Sequence, residues 1–516
     1  MDSNTLQILI AMVIYMAAVI GIGLVYAKRA NKNSEAYFLG GRSLGPWVTA
    51  MSAEASDMSG WLLMGLPGVA YWFGLADAFW TALGLAVGTY LNWLFVSKRL
   101  RRYSVRANNS ITLPEFFSNR FRENKKTIML LSAAFILIFF TAYASSCFVT
   151  CGKLFSALFG ADYVSMMILG AVFVLAYTLL GGFLAESASD FMQAIVMIVA
   201  LTVIVTLGTV NAGGFGQVIA NAKEIPGFLE FFGLATPTLD AAGTQIVENG
   251  KPLFGAASDY GWLTVCSMMA WGLGYFGMPQ VLLRFMAIRK EDELKRSRRI
   301  AMVWVGISLA VAVFIGIVGR QVFPTAHLTK SAAENIFITM ATSYLPPIIA
   351  GFVMAGILAA TISSSDSYLL IAASAFAKNI FQGICKKNAT EKQVMWVSRL
   401  TLLVLALIGV VLALDEKSII FEIVSFAWAG FGATFGPLML FSLFWKRVNK
   451  PGAIAGMVSG AAMVFLWKLV ISKLGGVFSI YELLPAFILS SLCIVVVSLL
   501  TKAPSQEIQE DFEAVK

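Results

Sequence analysis

Two short stretches put acids and hydroxyls inside otherwise apolar runs. The first, Met51–Gly60, contains Ser52, Glu54, Ser56, Asp57 and Ser59; the second contains Thr361, Ser363, Ser364, Ser365, Asp366 and Ser367. A carboxylate at the centre of a membrane helix costs about 2.5–3.5 kcal/mol, so it faces a cavity or a partner and not lipid. Hydroxyl and carboxylate oxygens are hard ligands suited to an alkali cation, and an unwound turn beside them would add free backbone carbonyls. A serine-rich face could instead be close-packing between helices, which accounts for the serines but poorly for the acids. Ser363 and Asp366 are three residues apart and share a helix face.

Other candidates are less sharply marked. Arg42, Glu186, Asp190 and Arg284 fall near the ends of apolar runs, where a long charged side chain could simply reach the interface. Lys468 and Glu422 are expected to be solvated. Tyr143, Trp271 and Tyr275 interrupt small or aliphatic residues, and the last two lie four apart beside a glycine-rich break. Such aromatics either touch a substrate or fill the core. The single histidine, His327, falls in a loop, which excludes a histidine proton relay. The five cysteines show no metal or disulfide spacing and read as small buried hydrophobes.

The elements that would hold these residues are membrane helices. The chain is 516 residues long, 58% hydrophobic and 13% charged, where a soluble domain carries about 25% charged residues. Apolar runs near 8–27, 46–72, 76–97, 127–156, 163–185, 190–212, 261–287, 300–323, 346–376, 396–414, 419–445, 451–472 and 480–501 give thirteen transmembrane helices in an all-α polytopic membrane protein. The first is too long for a cleaved signal and has no basic segment before it, so it is expected to be retained. The formal charge of +9 does not indicate nucleic-acid binding, because the basic residues sit in alternate loops. These loops carry Lys28, Arg29, Lys32 and Arg42, then Lys98–Lys126, Arg289–Arg299, Lys378–Lys392 and Lys446–Lys450. The positive-inside rule then places the N-terminus outside and the C-terminus in the cytosol. Residues 1–502 read as one transmembrane domain and 503–516 as a cytosolic polar tail; a short amphipathic helix is expected near 103–125. The second segment (Gly60, Gly65, Pro67, Gly68) and the seventh (Gly272, Gly274, Gly277, Pro279) are interrupted five segments apart, the pattern of a transporter's binding helices or of two kinked packing helices.

The stretch 40–68, GGRSLGPWVTAMSAEASDMSGWLLMGLPG, resembles the sodium/solute symporter family, most closely its bacterial sodium/proline branch. So do WGLGYFGMPQVLLRFMA (271–287), ILAATISSSDSYLL (357–370), AWAGFGATFGPLMLFSLFWKR (427–447) and PGAIAGMVSGA (451–461), and the likeness runs from about residue 8 to 502. The resemblance implies a LeuT-type five-plus-five inverted repeat over about 45–445, in a bacterial cytoplasmic membrane, that couples sodium entry to uptake of a small amino acid, L-proline first. It implies a sodium site from the carbonyls of Ala55, Met58 and Ala360 and the hydroxyls of Ser363 and Ser364, supported by Asp57. It implies a substrate pocket from Ser56, Ser59, Gly60, Trp61, Tyr143, Trp271, Tyr275 and Pro279, and gives Arg42 and Asp190 a part in cation access. The chain departs from the family pattern at Glu54 in SAEASD where SAGASD is typical, at Asp366 after the hydroxyl pair, and at Gly277, Met278, Pro279 and Gln280 where G-Q-P-H is typical. These carboxylates could form an extra cation or proton site, or receive a substrate amine, so a proton-coupled or dual-cation carrier of another small zwitterion or a cationic amine is the rival reading. No HExxH or GxxxxGK[ST] motif is present, which leaves a metalloprotease or an ATP-driven pump without its machinery.

Overall fold

The computed structural model describes residues 3–30 and 33–516; Lys32 of the first basic cluster lies outside the described residues. Among these residues, ten helices are long and apolar enough to cross a membrane. They are α1 (Ser3–Ala30), α4 (Leu75–Arg106), α6 (Thr127–Phe159), α8 (Gly182–Asn211), α11 (Leu294–Val322), α12 (Pro347–Cys385), α13 (Glu391–Leu412), α14 (Ile420–Phe444), α15 (Lys450–Leu469) and α16 (Leu483–Leu500). The remaining apolar runs are divided. The second becomes α2 (Pro46–Asp57) and α3 (Trp61–Phe73). The fifth is α7 (Tyr163–Leu179), which turns into α8 at Gly182, whose φ of 61° an L side chain rarely adopts. The seventh becomes α9 (Trp262–Met269), a 3₁₀ stretch Ala270–Gly277, and α10 (Pro279–Ala287).

The break in the second segment falls at Met58–Gly60, at the first of the glycines that marked it, while Gly65, Pro67 and Gly68 lie in the resumed helix. Met58 leaves the helix at φ −86°, ψ 72°, and the Ser59 N–H donates to Asp57 O at 3.0 Å. Pro67 is the second residue of the α-helical part of α3, Leu66–Phe73, which follows a wider π-helical turn at Trp61–Gly65. The seventh segment breaks at Met278, whose extended backbone (ψ 110°) leads into Pro279 at the first turn of α10.

Burial separates centre from rim. α12 and α14 are buried on nearly every face, whereas α13 and α16 leave Trp396, Leu407, Leu492 and Leu499 exposed, as lipid-facing helices should. The 3₁₀ stretch is wedged between α4 and α14. A Cβ on Gly88 would overlap the Gly272 backbone, and one on Gly272 the Gly84 carbonyl. Gly272→Ala should therefore push α4 off the broken helix and cost about 1–3 kcal/mol, read as a lower melting temperature in detergent; an unchanged value would mean that the contact yields freely.

The long connection at 213–260 holds a helix, Phe215–Lys223, and two antiparallel strand pairs, Gly233–Leu234 with Ser258–Asp259 and Val247–Glu248 with Lys251–Pro252. It is tied to the bundle where Leu75 N–H donates to Phe228 O at 2.7 Å and Gln245 N–H to Leu328 O at 2.7 Å. The expected amphipathic helix is α5 (Leu113–Arg120), capped by Thr112 and burying Leu113, Phe116 and Phe117. Two cysteines, Cys147 and Cys151, are buried, but Cys266 and Cys385 are exposed, which corrects the reading of all five as core residues. His327 accepts or donates a 2.8 Å bond with Thr339 Oγ1; burial first and Arg320 second push its pKa down to about 4, so it is neutral at pH 7.

The polar tail folds back. α17 (Gln506–Glu513) packs Ile508, Phe512 and Val515 inward, with Phe512 between the guanidinium groups of Arg99 and Arg120. Asp511 pairs with Arg106 and Arg122, each at 2.8 Å, and Glu507 with Arg122 at 2.5 Å. Burial works upward on Asp511, but the bonds from Arg122 and Arg106 outweigh it and hold its carboxyl below the usual range. A carboxyl depressed in the docked state stabilises docking above its free pKa and loses that contribution as pH falls through the docked value. Amide protection factors across 503–516, measured against the intrinsic rate at each pH, should therefore be high at neutral pH and low in acid, and low at all pH in Phe512→Ala; protection indifferent to both changes would contradict this docking.

Candidate functional site

Where α2 ends, its last carbonyls have no intrahelical partner, and α12 supplies one. Ser363 Oγ donates to Ala55 O at 2.8 Å and lies 3.2 Å from Ala360 O, while Ser364 Oγ donates to Ala55 O at 3.3 Å. Ala55, Met58, Ala360, Ser363 and Ser364 are all fully buried. Two hydroxyls from the middle of α12 and carbonyls from the end of α2 and from Ala360 form a cluster of buried oxygens. This composition fits a dehydrated alkali cation, to which each hydroxyl would present its lone pair once it gave up the carbonyl.

Two residues after Ala55, Asp57 joins the two broken helices. Tyr275 Oη donates to its Oδ2 at 2.7 Å and Gln280 Nε2 to its Oδ1 at 3.4 Å, one from each side of the Met278 break. Tyr143 Oη reaches Asp57 O at 3.4 Å. An aromatic enclosure stands beside these bonds. Trp271 lies 6.2 Å from Trp61 and stacks on Tyr481 at 5.1 Å, while Trp428 donates to Trp271 O at 2.7 Å and meets Tyr275 edge-on. Tyr143 faces Tyr368 at 4.2 Å. The buried atoms Trp61 Nε1, Trp271 Nε1 and Gln280 Oε1 have no hydrogen-bond partner. Buried polar atoms are normally satisfied. Several orphaned donors and acceptors around one break mark a place built to receive a polar ligand.

The remaining site candidates divide. Gly60 and Trp61 begin the resumed helix, and a side chain at Gly60 would collide with Thr150. Pro279 is buried at the start of α10 beside the Asp57 clasp. Ser56 turns away and donates to Ala53 O at 3.1 Å. Arg42 lies apart from the oxygen cluster and the aromatic enclosure, holding Asn109 Oδ1, Ser104 Oγ, Ser110 O and Met286 O at 2.6–3.1 Å.

Arg284, Glu186 and Asp190 do not snorkel: they are buried between helices, which corrects that alternative. Arg284 pairs with Glu186 and, at 3.3 Å, with Asp190; its Nε donates to Ser52 Oγ at 3.0 Å and its Nη2 to Ser367 Oγ at 2.9 Å. Ser52 donates in turn to Asp190 at 2.6 Å. This network ties α10 to α2, α8 and α12 just below the oxygen cluster. The two unusual acids share no partner. Glu54 Oε1 accepts from Trp93 Nε1 at 3.1 Å, whereas Asp366 accepts from its neighbour Ser367 N–H at 2.8 Å and borders a small cavity with Tyr177, Thr178, Gly182 and Glu186. One oxygen of each is unpartnered.

Sequence reasoning passed over Tyr368, Trp428 and Tyr481, and treated Gln280 only as a departure from a pattern. Tyr368, four residues after Ser364, could have been found by helical spacing; Tyr481 comes from the far end of the chain and carried no local signal. The buried pair Lys153–Glu334 at 2.6 Å was also missed; Glu334 further accepts from the Ile420 and Phe421 N–H groups at the start of α14.

Two helices broken at buried polar turns, beside a buried oxygen cluster inside a membrane bundle, define a secondary transporter. A solved sodium-coupled sialic acid symporter has the same fold, with a TM-score of 0.76 over 97% of this chain and 99% of that one at 19% identity. Mhp1, a nucleobase-cation-symport-1 transporter in a closed conformation, aligns with a TM-score of 0.51 over 92% and 98% at 12% identity. The profile of the Sodium:solute symporter family matches residues 37–460, and the chain belongs to that family. It is 41% identical to the high-affinity proline transporter of Bacillus subtilis over 94% of this chain and 97% of that protein. It is 40% identical to the sodium/proline symporter of Escherichia coli, over 98% and 95%. It is a multi-pass membrane transporter and not an enzyme.

Proposed function

We propose that this chain couples inward sodium flow to uptake of L-proline across a bacterial cytoplasmic membrane by alternating access. The observation that carries this reading is the pair of serine hydroxyls on the Ala55 carbonyl at the α2 break, two residues from the Asp57 clasp, in a chain 40% identical over its length to named sodium/proline symporters. Sodium occupies the oxygens of Ala55, Met58, Ala360, Ser363 and Ser364, joining α2 to α12. Proline lies beside it among Ser59, Gly60, Trp61, Tyr143, Trp271 and Tyr275. Its ammonium meets free carbonyls at the end of α2 and its carboxylate the positive N-terminal ends of the resumed helices. Asp57 holds the broken helices in register, and Ser56 and Pro279 shape the turns. Arg42 and Asp190 belong to the cation's path. Thirteen membrane crossings, an outside N-terminus, a cytosolic α17 and a five-plus-five repeat over about 45–445 complete the architecture, the undivided long helices framing the two broken ones. A sodium ion moving down 100 mV supplies about 2.3 kcal/mol, enough for roughly 50-fold accumulation.

The test is uptake of radiolabelled L-proline into proteoliposomes under a sodium gradient, with choline replacing sodium in one arm and a proton gradient alone in another. Accumulation only with sodium supports the proposal. Accumulation driven by protons favours a second reading, motivated by the unpartnered oxygens of Asp366 and Glu54, in which a proton at one of these acids does the coupling. Sodium-driven uptake of another zwitterion or amine in place of proline would keep the coupling and replace the substrate.

A further inference from the structure

The lipid-facing surface carries a groove of about 450 Å³ at the seam of α2, α8 and α11. Its walls are apolar, including Trp47, Ile195, Val199, Val303 and Ile307, and Arg299 stands at one end. Arg296 lies beside that end with its guanidinium 5.9 Å from the Trp47 ring. Both arginines are exposed, and neither makes an ion pair among the described residues. The nearby acids are engaged with other cations: Glu293 pairs with Arg289 and feels Arg296 without an ion-pair contact, Glu291 pairs with Arg102, and Asp292 acts on Arg102.

From Arg299 to Ile307 the groove follows eight residues of α11, about 12 Å at helical rise. That approaches the roughly 15 Å of one hydrocarbon leaflet. Two unpaired cations at the water end of an apolar slot one leaflet deep match a charged headgroup with a fatty chain below it. We propose that this groove binds one phospholipid of net negative charge, its acyl chain along Val199, Val303 and Ile307 and its phosphate between Arg296 and Arg299.

The position has consequences for transport. Met51 on the groove wall precedes Ser52, which holds Asp190 and Arg284, and Trp304 on the opposite wall donates to Ala194 O at 3.3 Å. A seated lipid fills the seam behind the half-helix that ends at Ala55 and Asp57. Only the leaflet, the cytosolic one, depends on the proposed sidedness; neither sodium nor proline enters the test.

Purified protein is titrated with dioleoylphosphatidylglycerol or dioleoylphosphatidylcholine, and bound lipid is counted by native mass spectrometry. The anionic lipid should bind more tightly, and Arg296→Gln/Arg299→Gln should remove about 30-fold of that affinity. Lys295→Gln, an exposed cation on the same turn but not on the groove, should leave it within twofold of the parent. Val303→Trp should weaken both lipids by filling the slot. An unchanged preference in the double variant overturns the proposal. So does an equal loss in Lys295→Gln, which would mean general attraction to a basic surface, or a dimer that excludes lipid from this face.

Discussion

Replacing Arg284 with methionine should destabilise the protein by about 3–5 kcal/mol, the cost of removing one partner from a buried ion pair. The guanidinium is fully buried and binds Glu186, Asp190, Ser52, Ser367 and the Gln280 carbonyl. Methionine keeps much of the length and none of the charge, so two carboxylates are left facing each other without a cation or water. The variant should express poorly and melt at a lower temperature in detergent. Removing the carboxylates with it, as Arg284→Met/Glu186→Gln/Asp190→Asn, should recover much of the loss, because a buried network replaced as a whole is far less costly than one cut in half. A single variant as stable as the parent would mean that water reaches the network and screens it.

Ser363→Ala should raise the sodium concentration for half-maximal uptake by about 10- to 100-fold, the value of one hydrogen bond or ligand contact to a charge. Ser363 Oγ is 2.8 Å from Ala55 O and 3.2 Å from Ala360 O, so it sits at the centre of the oxygen cluster; Ser364 lies 3.3 Å from Ala55 O. Ser364→Ala should therefore shift sodium dependence less. The maximal rate at saturating sodium should fall less than the affinity, since the remaining oxygens still accept the ion. Uptake whose sodium dependence is the same in Ser363→Ala as in the parent would place the cation elsewhere, with Asp366 the first alternative.

Much of this site is legible in the sequence because the membrane makes polarity expensive. Asp57, Glu54 and the serines of 363–367 stand out in apolar runs with no reason to be there except a partner or an ion. The breaks were visible too, but the second segment unwinds at Met58–Gly60 and not at Gly65–Gly68, because a helix breaks where a tertiary partner takes over its carbonyls. Here that partner is Ser363, some three hundred residues away. Arg284, Glu186 and Asp190 were ambiguous for the opposite reason. Near the end of an apolar run, a buried ion and a snorkelling one have the same sequence signature, and only packing by Phe183 and the contacts of α8 and α12 separates them. Trp428 on α14 and Tyr481 in the turn before α16 close the aromatic enclosure from segments whose local sequence reads as ordinary lining. The tail's acids were plain in the sequence, yet its docking depends on Arg99 and Arg120 flanking Phe512, a contact that no local pattern contains.

On the proposed function, sodium and proline meet at the α2 break, sodium between it and α12 and proline between it and the α9–α10 break, so each should favour the state that binds the other. Equilibrium binding of L-proline to the purified protein, measured as sodium replaces choline at constant ionic strength, tests this most directly. Proline affinity should rise with sodium until the cation site is full, and that rise should be largely lost in Ser363→Ala at the same sodium concentrations. Proline binding with the same affinity in choline as in sodium would contradict a cation that shares the break with the substrate.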